Sequence, residues 1–281
     1  MKAKKTALLP LLLALFAGSL AFADLPSEIS VDLKMDEISY VSGERIRGVV
    51  DIRNMSPDKV SYGYTNSQDI FVVEVYRASD YHQLDRVVKR PFVSPFSVGP
   101  NEGQKLELFL GDHYGLTEPR RYLARPVLVH AGRRFEGGYC AFDVVPGMKI
   151  ARAVQIFSNR EGLSRELQLL HWSRKGSEHI FFAAQDHGSS ERRWLTHDIG
   201  PIMNISKPTI SILPSGIVIV LHRNGADSFV RSEFWSLPDA LEFNSRQMVL
   251  DPETAGQNRV QQMYKSSGGV QPADRPWWKF W

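Results

Sequence analysis

Three places in the chain set a histidine beside a carboxylate: Asp112-His113, Asp186-His187 and His197-Asp198. Such pairs could ligate a metal or move a proton. Neighbours on a strand point to opposite faces, however, so neither partner can close on the same ion unless a turn intervenes. They are expected to be solvated loop residues, with no metal site and no cofactor. The sequence holds no Gly-rich phosphate loop, no H-E-x-x-H, no G-x-S-x-G and no D-x-D-x-D-G run, which removes the commonest nucleotide, zinc, serine-hydrolase and calcium chemistries. Carboxylates are available at Asp198, Glu233, Asp239 and Glu242. A glycoside hydrolase needs two of them ~5–10 Å apart, one holding a proton. That is the alternative reading, and its mark would be a deep pocket lined by two or more carboxylates within residues 165–245. No catalytic residue is assigned.

A better match between residue types and chemistry is binding. Arg192, Arg193, Arg223 and Arg231 are interspersed with Trp194, Phe229, Phe234 and Trp235. Aromatic faces stack on sugars or take guanidinium groups, although cross-strand packing competes for the same rings. The end of the chain, Pro276-Trp277-Trp278-Lys279-Phe280-Trp281, has four large rings in five residues, which seldom stay in water. They either dock on their own protein or meet a partner or membrane interface. The candidate binding residues are therefore Trp194, Arg223, Trp235, Trp277, Trp278 and Trp281, and the expected partner is an envelope protein or a glycan.

The formal net charge of +3 would suggest an acidic partner, but its location argues otherwise. Lys2, Lys4 and Lys5 precede an apolar run over residues 7–16, and Ala21-Phe22-Ala23 offers a small-residue cleavage site. That order reads as a secretory signal over residues 1–23, too short for a comfortable membrane span. The excess lies there: residues 24–281 carry 31 acidic side chains and as many basic ones. Nucleic acid and anionic membrane surfaces are thereby disfavoured as partners, and an exported protein, periplasmic or secreted, with no span after cleavage is expected. The one cysteine, Cys140, has no partner within the chain and reads as a small buried strand residue.

The elements that must position these residues are strands. Ile29, Val31 and Leu33 alternate with polar residues, as do Ile46, Gly48, Val50 and Ile52, and further runs occur at 70–76, 106–110, 122–129 and 139–145. Six or seven strands in about 120 residues match the size of an immunoglobulin-like sandwich. The segment from Gly115-Leu116-Thr117-Glu118-Pro119-Arg120-Arg121-Tyr122 through Phe142-Asp143-Val144-Val145-Pro146-Gly147 resembles the closing hairpin of bacterial immunoglobulin-like β-sandwich domains. The resemblance implies that Tyr122 caps a corner by bonding back to the backbone.

Pro146-Gly147 reads as a boundary, giving a sandwich over 24–147 and a second β-rich module over 148–250. In the latter, 209–213 and 217–221 flank Pro214-Ser215-Gly216 as a hairpin. Trp194 and Trp235 close two similar strand-turn-strand runs, a spacing close to the ~40–45 residues of a propeller blade. The expected fold class is all-β, a sandwich followed by a module with blade-like hairpins and a turn-rich tail over 251–281.

Overall fold

Period-2 alternation of buried and exposed side chains runs through the strands of the computed structural model, which describes residues 28–250 except 65–67, 159, 161, 189–193 and 204–205. The N-terminal signal reading, Arg192, Arg193 and the tail with Trp277, Trp278 and Trp281 lie outside the described residues. The chain is all-β: among the described residues the sole helical element is a 3-10 turn at Leu110–Asp112, and no helix is long and apolar enough to cross a membrane.

In chain order the N-terminal half comprises β1 (Ile29–Met35), β2 (Ser39–Val41), β3 (Arg47–Asn54), β4 (Val60–Tyr62), β5 (Ile70–Arg77), β6 (Phe96–Val98), β7 (Glu102–Phe109), β8 (Arg120–His130), β9 (Arg133–Glu136) and β10 (Cys140–Val145). One sheet has the order β1-β3-β7 and a second the order β2-β10-β8-β5, with β9 added to β8. Between them lies one core, to which Val31, Val50 and Ile52 contribute from the first sheet and Val73, Val75 and Phe142 from the second. Ladders are antiparallel apart from β2 with β10. The strands beyond the six or seven expected are β2, β4, β6 and β9, of three or four residues each, too short to show an alternation.

Two local features set this half. Tyr122 stacks on Phe142 with ring centroids 5.6 Å apart, and its hydroxyl donates to the Glu118 carbonyl at 3.1 Å. The free edge of β5 is capped: Leu84 N–H donates to the Val75 carbonyl at 2.8 Å and the Tyr114 hydroxyl to the Val73 carbonyl at 2.5 Å, covering acceptors that an edge strand would otherwise expose.

The C-terminal half comprises β11 (Met148–Ile156), β12 (Ser164–Arg174), β13 (Ser177–His187), β14 (Trp194–Pro201), β15 (Thr209–Ile212), β16 (Ile217–Gly225), β17 (Ser228–Leu237) and β18 (Ala240–Leu250). They form two meanders, β11-β12-β13-β14 and β15-β16-β17-β18. The sheets face each other over Leu167, Leu169, Ile180 and Phe182 on one side and Val218, Val220 and Phe234 on the other. Trp194 opens the fourth strand of its sheet and Trp235 lies in the third of the other, so their spacing is not a structural repeat. Across this core Arg165, 0% exposed, pairs with Asp186 at 2.5 Å and donates to Ser236 Oγ and the Leu237 and Ala240 carbonyls.

The halves meet along a seam. The outer face of the β11–β14 sheet presents Leu170, Phe181 and Ala183, which pack on Val41, with Val145 and Trp172 at the margin. Gly147 sits in this contact at φ +67°, where an added β-carbon would lie 3.1 Å from Leu170 Cβ. Arg174 closes the seam with a two-point bond to Glu44, at 2.6 and 2.9 Å, and reaches Asp198 at 3.1 Å. Burial, ahead of the Arg174 bonds that oppose it, pushes the Glu44 carboxyl upward.

Candidate functional site

Register brings one row of side chains together across four strands. Val154, Glu166, Gln185 and Trp194 are direct cross-strand neighbours on β11, β12, β13 and β14. In the adjoining row Gln168 stands opposite Ala183. Because inward-facing Leu167 and Ala184 belong to the core, strict alternation turns both rows to the outer face, the second at the border of the patch that the seam covers, where Ala183 lies, and the first beyond it. There Glu166, Gln168, Ala183, Gln185 and Trp194 line a cleft of about 290 Å³, together with Ser42, Pro119, Pro146 and Lys149.

Trp194 forms its wall. The ring is 42% exposed, yet held: its Nε1–H donates to Thr196 Oγ1 at 3.1 Å, and Thr196 Oγ1 donates to the Ser42 carbonyl at 2.8 Å. A β-carbon on Gly43, whose φ is +81°, would overlap the indole, so the ring lies flat on glycine backbone. An aromatic surface fixed in this way loses little freedom when it binds.

Glu166 sits near Arg152 at 2.6 Å, Lys149 at 3.6 Å and His187 at 3.4 Å. Burial acts to raise its carboxyl, but the Arg152 and Lys149 charges outweigh it, leaving the group below the ordinary carboxylate range. Glu166 is thus an ionised acceptor rather than a proton donor. Among the described residues it is the one carboxylate that lines the cleft.

The other sequence candidates fall elsewhere. Arg223 and Trp235 lie on the outer face of the β15–β18 sheet, on the opposite side of the C-terminal half from Trp194. Arg223 stacks over Phe229 at 4.5 Å, and Trp235 stands opposite Ile217 and Glu242. Cys140 is half-buried rather than fully buried: it shares the inward phase of Phe142 and Val144 but begins its strand at the margin of the core.

The three His-Asp pairs are not solvated loops. His113 is buried against Phe92, with ring centroids 4.2 Å apart. Asp186 is the buried partner of Arg165. His197 turns inward onto Phe243 at 4.2 Å while Asp198 turns outward to Arg174 and His179, so period-2 geometry separates the neighbours. Among the described residues no cluster of three or more His, Cys, Asp or Glu could hold a metal ion.

Sequence reasoning found Trp194 and missed Gly43, Lys149, Glu166, Gln168 and Gln185. The signal for them is the register of three ladders, and short polar residues on strands do not announce their cross-strand partners.

No protein-family model and no curated protein matches the chain. Among solved structures it is similar to Spo0M, a sporulation control protein from Bacillus subtilis, at 9% identity and a TM-score of 0.30, over 85% of this chain and 97% of that one. It is also similar to a DUF4784 family protein from Bacteroides caccae, at 8% identity and a TM-score of 0.20, over 78% of this chain and 70% of that one.

Proposed function

We propose that this is an exported, non-enzymatic envelope or secreted protein that works by contact with a protein or glycan, and that the seam cleft is its contact site. The observation that carries the reading is the row Glu166, Gln185 and Trp194, where a half-exposed ring, locked in place, stands beside polar groups. In this proposal residues 24–147 are an immunoglobulin-like sandwich. Support comes from the sheet orders β1-β3-β7 and β2-β10-β8-β5, which match an A-B-E and A′-G-F-C arrangement, and from the Tyr122 bond to Glu118 at the start of the strand equivalent to F. Residues 148–250 are the second module. The lysine-led, apolar start of the chain supports export.

The hydrolase alternative requires two carboxyls in one deep pocket. Among the described residues the cleft offers Glu166 alone, and Glu44 and Asp198 are both bonded to Arg174 inside the seam.

The reading is tested with a photo-crosslinking amino acid at Gln185, compared with the same amino acid at Ile219 on the opposite sheet, in living cells. Capture of a defined envelope component from position 185 alone is expected, together with a processed N-terminus at Asp24. Equal capture from both positions, or an unprocessed chain in the cytosol, would overturn it.

A further inference from the structure

We infer that the seam cleft takes a saccharide of one or two rings. This rests on the contact reading above and narrows it from protein or glycan to a small sugar.

Shape argues first. A peptide that binds as an added strand needs an unpaired sheet edge. The floor of the cleft is the face of β12 and β13, each hydrogen-bonded on both sides, and the edge strand β14, which carries Trp194, is already bridged at Thr196 by Glu44. A folded protein partner needs about 800 Å² of its own surface in contact. A concavity of about 290 Å³ instead falls just below the ~300–1,000 Å³ typical of drug-sized ligand clefts, the size for a smaller molecule. Glu166 on β12 and Trp194 on β14 are two strand spacings apart, about 10 Å.

Chemistry argues second. A pyranose has an apolar C–H face and a rim of hydroxyls, each of which donates and accepts. The matching receptor has an aromatic plane for the face and planar groups with both capacities for the rim. Trp194 supplies the plane. Gln185 supplies two N–H donors and a carbonyl acceptor, Gln168, which gives one hydrogen bond to Glu166, adds its remaining amide groups, and Glu166, Lys149 and Ser42 complete the rim. Arg152 pairs closely with Glu166 and Lys149 stands 3.6 Å from it, so the site holds charges of both signs with one cation in excess, and a sugar, whose hydroxyls both donate and accept, can meet both.

Six tryptophans make bulk fluorescence ambiguous, so the test uses the full chain labelled with 5-fluorotryptophan, the Trp194 resonance being assigned by Trp194→Phe. The probes are cellobiose, maltose and N,N′-diacetylchitobiose, with tetraalanine as the peptide control. At least one disaccharide should shift the Trp194 resonance saturably while the Trp235 resonance stays fixed, and Gln185→Ala should weaken that binding roughly tenfold, the loss of about one well-made hydrogen bond. If tetraalanine shifts Trp194 and no sugar does, the saccharide inference falls and the contact reading stands. If no sugar shifts Trp194 while the crosslinker at Gln185 still captures a partner, the inference again falls alone; if that capture also fails, both fall.

Discussion

The indole of Trp194 occupies the space that a β-carbon on Gly43 would need, so two residues from different halves of the chain share one volume at the mouth of the cleft. Gly43 also carries a left-handed φ of +81°, which side chains adopt at a cost of about 1–2 kcal/mol. Gly43→Ala should therefore lower the melting temperature modestly and, more tellingly, move the Trp194 fluorine resonance with no ligand present. A resonance unchanged from wild type would mean that the ring does not rest on Gly43.

Arg165 is the centre of a polar network inside the C-terminal core. Arg165→Leu leaves the Asp186 carboxylate buried with its partner gone, and breaking a buried pair in this way costs about 3–5 kcal/mol. Chemical denaturation of the variant should show that loss. The double change Arg165→Leu with Asp186→Leu should recover part of it, because no uncompensated charge remains. Stability as low as the single variant's would show that the hydrogen bonds to Ser236, Leu237 and Ala240, rather than the charge pair, dominate.

Histidine protonation gives the molecule an acid limit. His222, 1% exposed on β16, is pushed down to about 4 by burial first and by Arg246 next, with the Pro201 carbonyl and Asp198 pulling the other way. The unfolded chain protonates near 6.5, so between these values it holds more protons than the folded one. Stability should be fully present above pH 6.5 and fall as the pH drops toward 4, by about 1.4 kcal/mol per unit and roughly 3 kcal/mol in all. His197 is lowered by burial in the same direction. Urea midpoints measured from pH 7 to pH 4 should trace this decline, and His222→Gln should flatten most of it; an equal slope in that variant would assign the effect elsewhere.

The seam should open when Arg174 is lost. Arg174→Met leaves Glu44 without its cation and Asp198 with His179 alone, and the cost should be about 3 kcal/mol at pH 7, smaller in acid, where the Glu44 carboxyl, already raised by burial, takes up a proton. Hydrogen exchange is expected to quicken on β2 and on the 181–185 stretch of β13 while β16 stays protected. Uniform quickening across both halves would instead indicate global destabilisation.

Much of this architecture is legible in residue order. The alternation Ile29, Val31, Leu33 marks a real strand, and Pro214-Ser215-Gly216 joins two paired strands as expected. The turn Ala131-Gly132 has positive φ at both residues, the geometry of a tight hairpin. The equivalent turn at Lys175-Gly176 also has positive φ at both; the strands beside it are marked by Leu167, Leu169 and Leu170 and by Ile180-Phe181-Phe182, but Lys175 gives no turn signal, so their pairing as one long hairpin does not show in the sequence. The run Ile180-Phe181-Phe182 is apolar on both faces because its inner residues meet the opposite sheet and Phe181 meets Val41. Its composition shows burial without naming what covers it. Arg165 and Asp186 are similarly silent: only register puts them opposite each other.

The covered outer face of the β11–β14 sheet has a practical corollary for anyone dissecting the protein. A fragment cut at Pro146 would release Leu170, Phe181 and Ala183 from Val41 and turn a greasy patch toward water. Such a piece would clump in the tube, and a protease that nicked the link would yield a pair still clasped together instead of two free products.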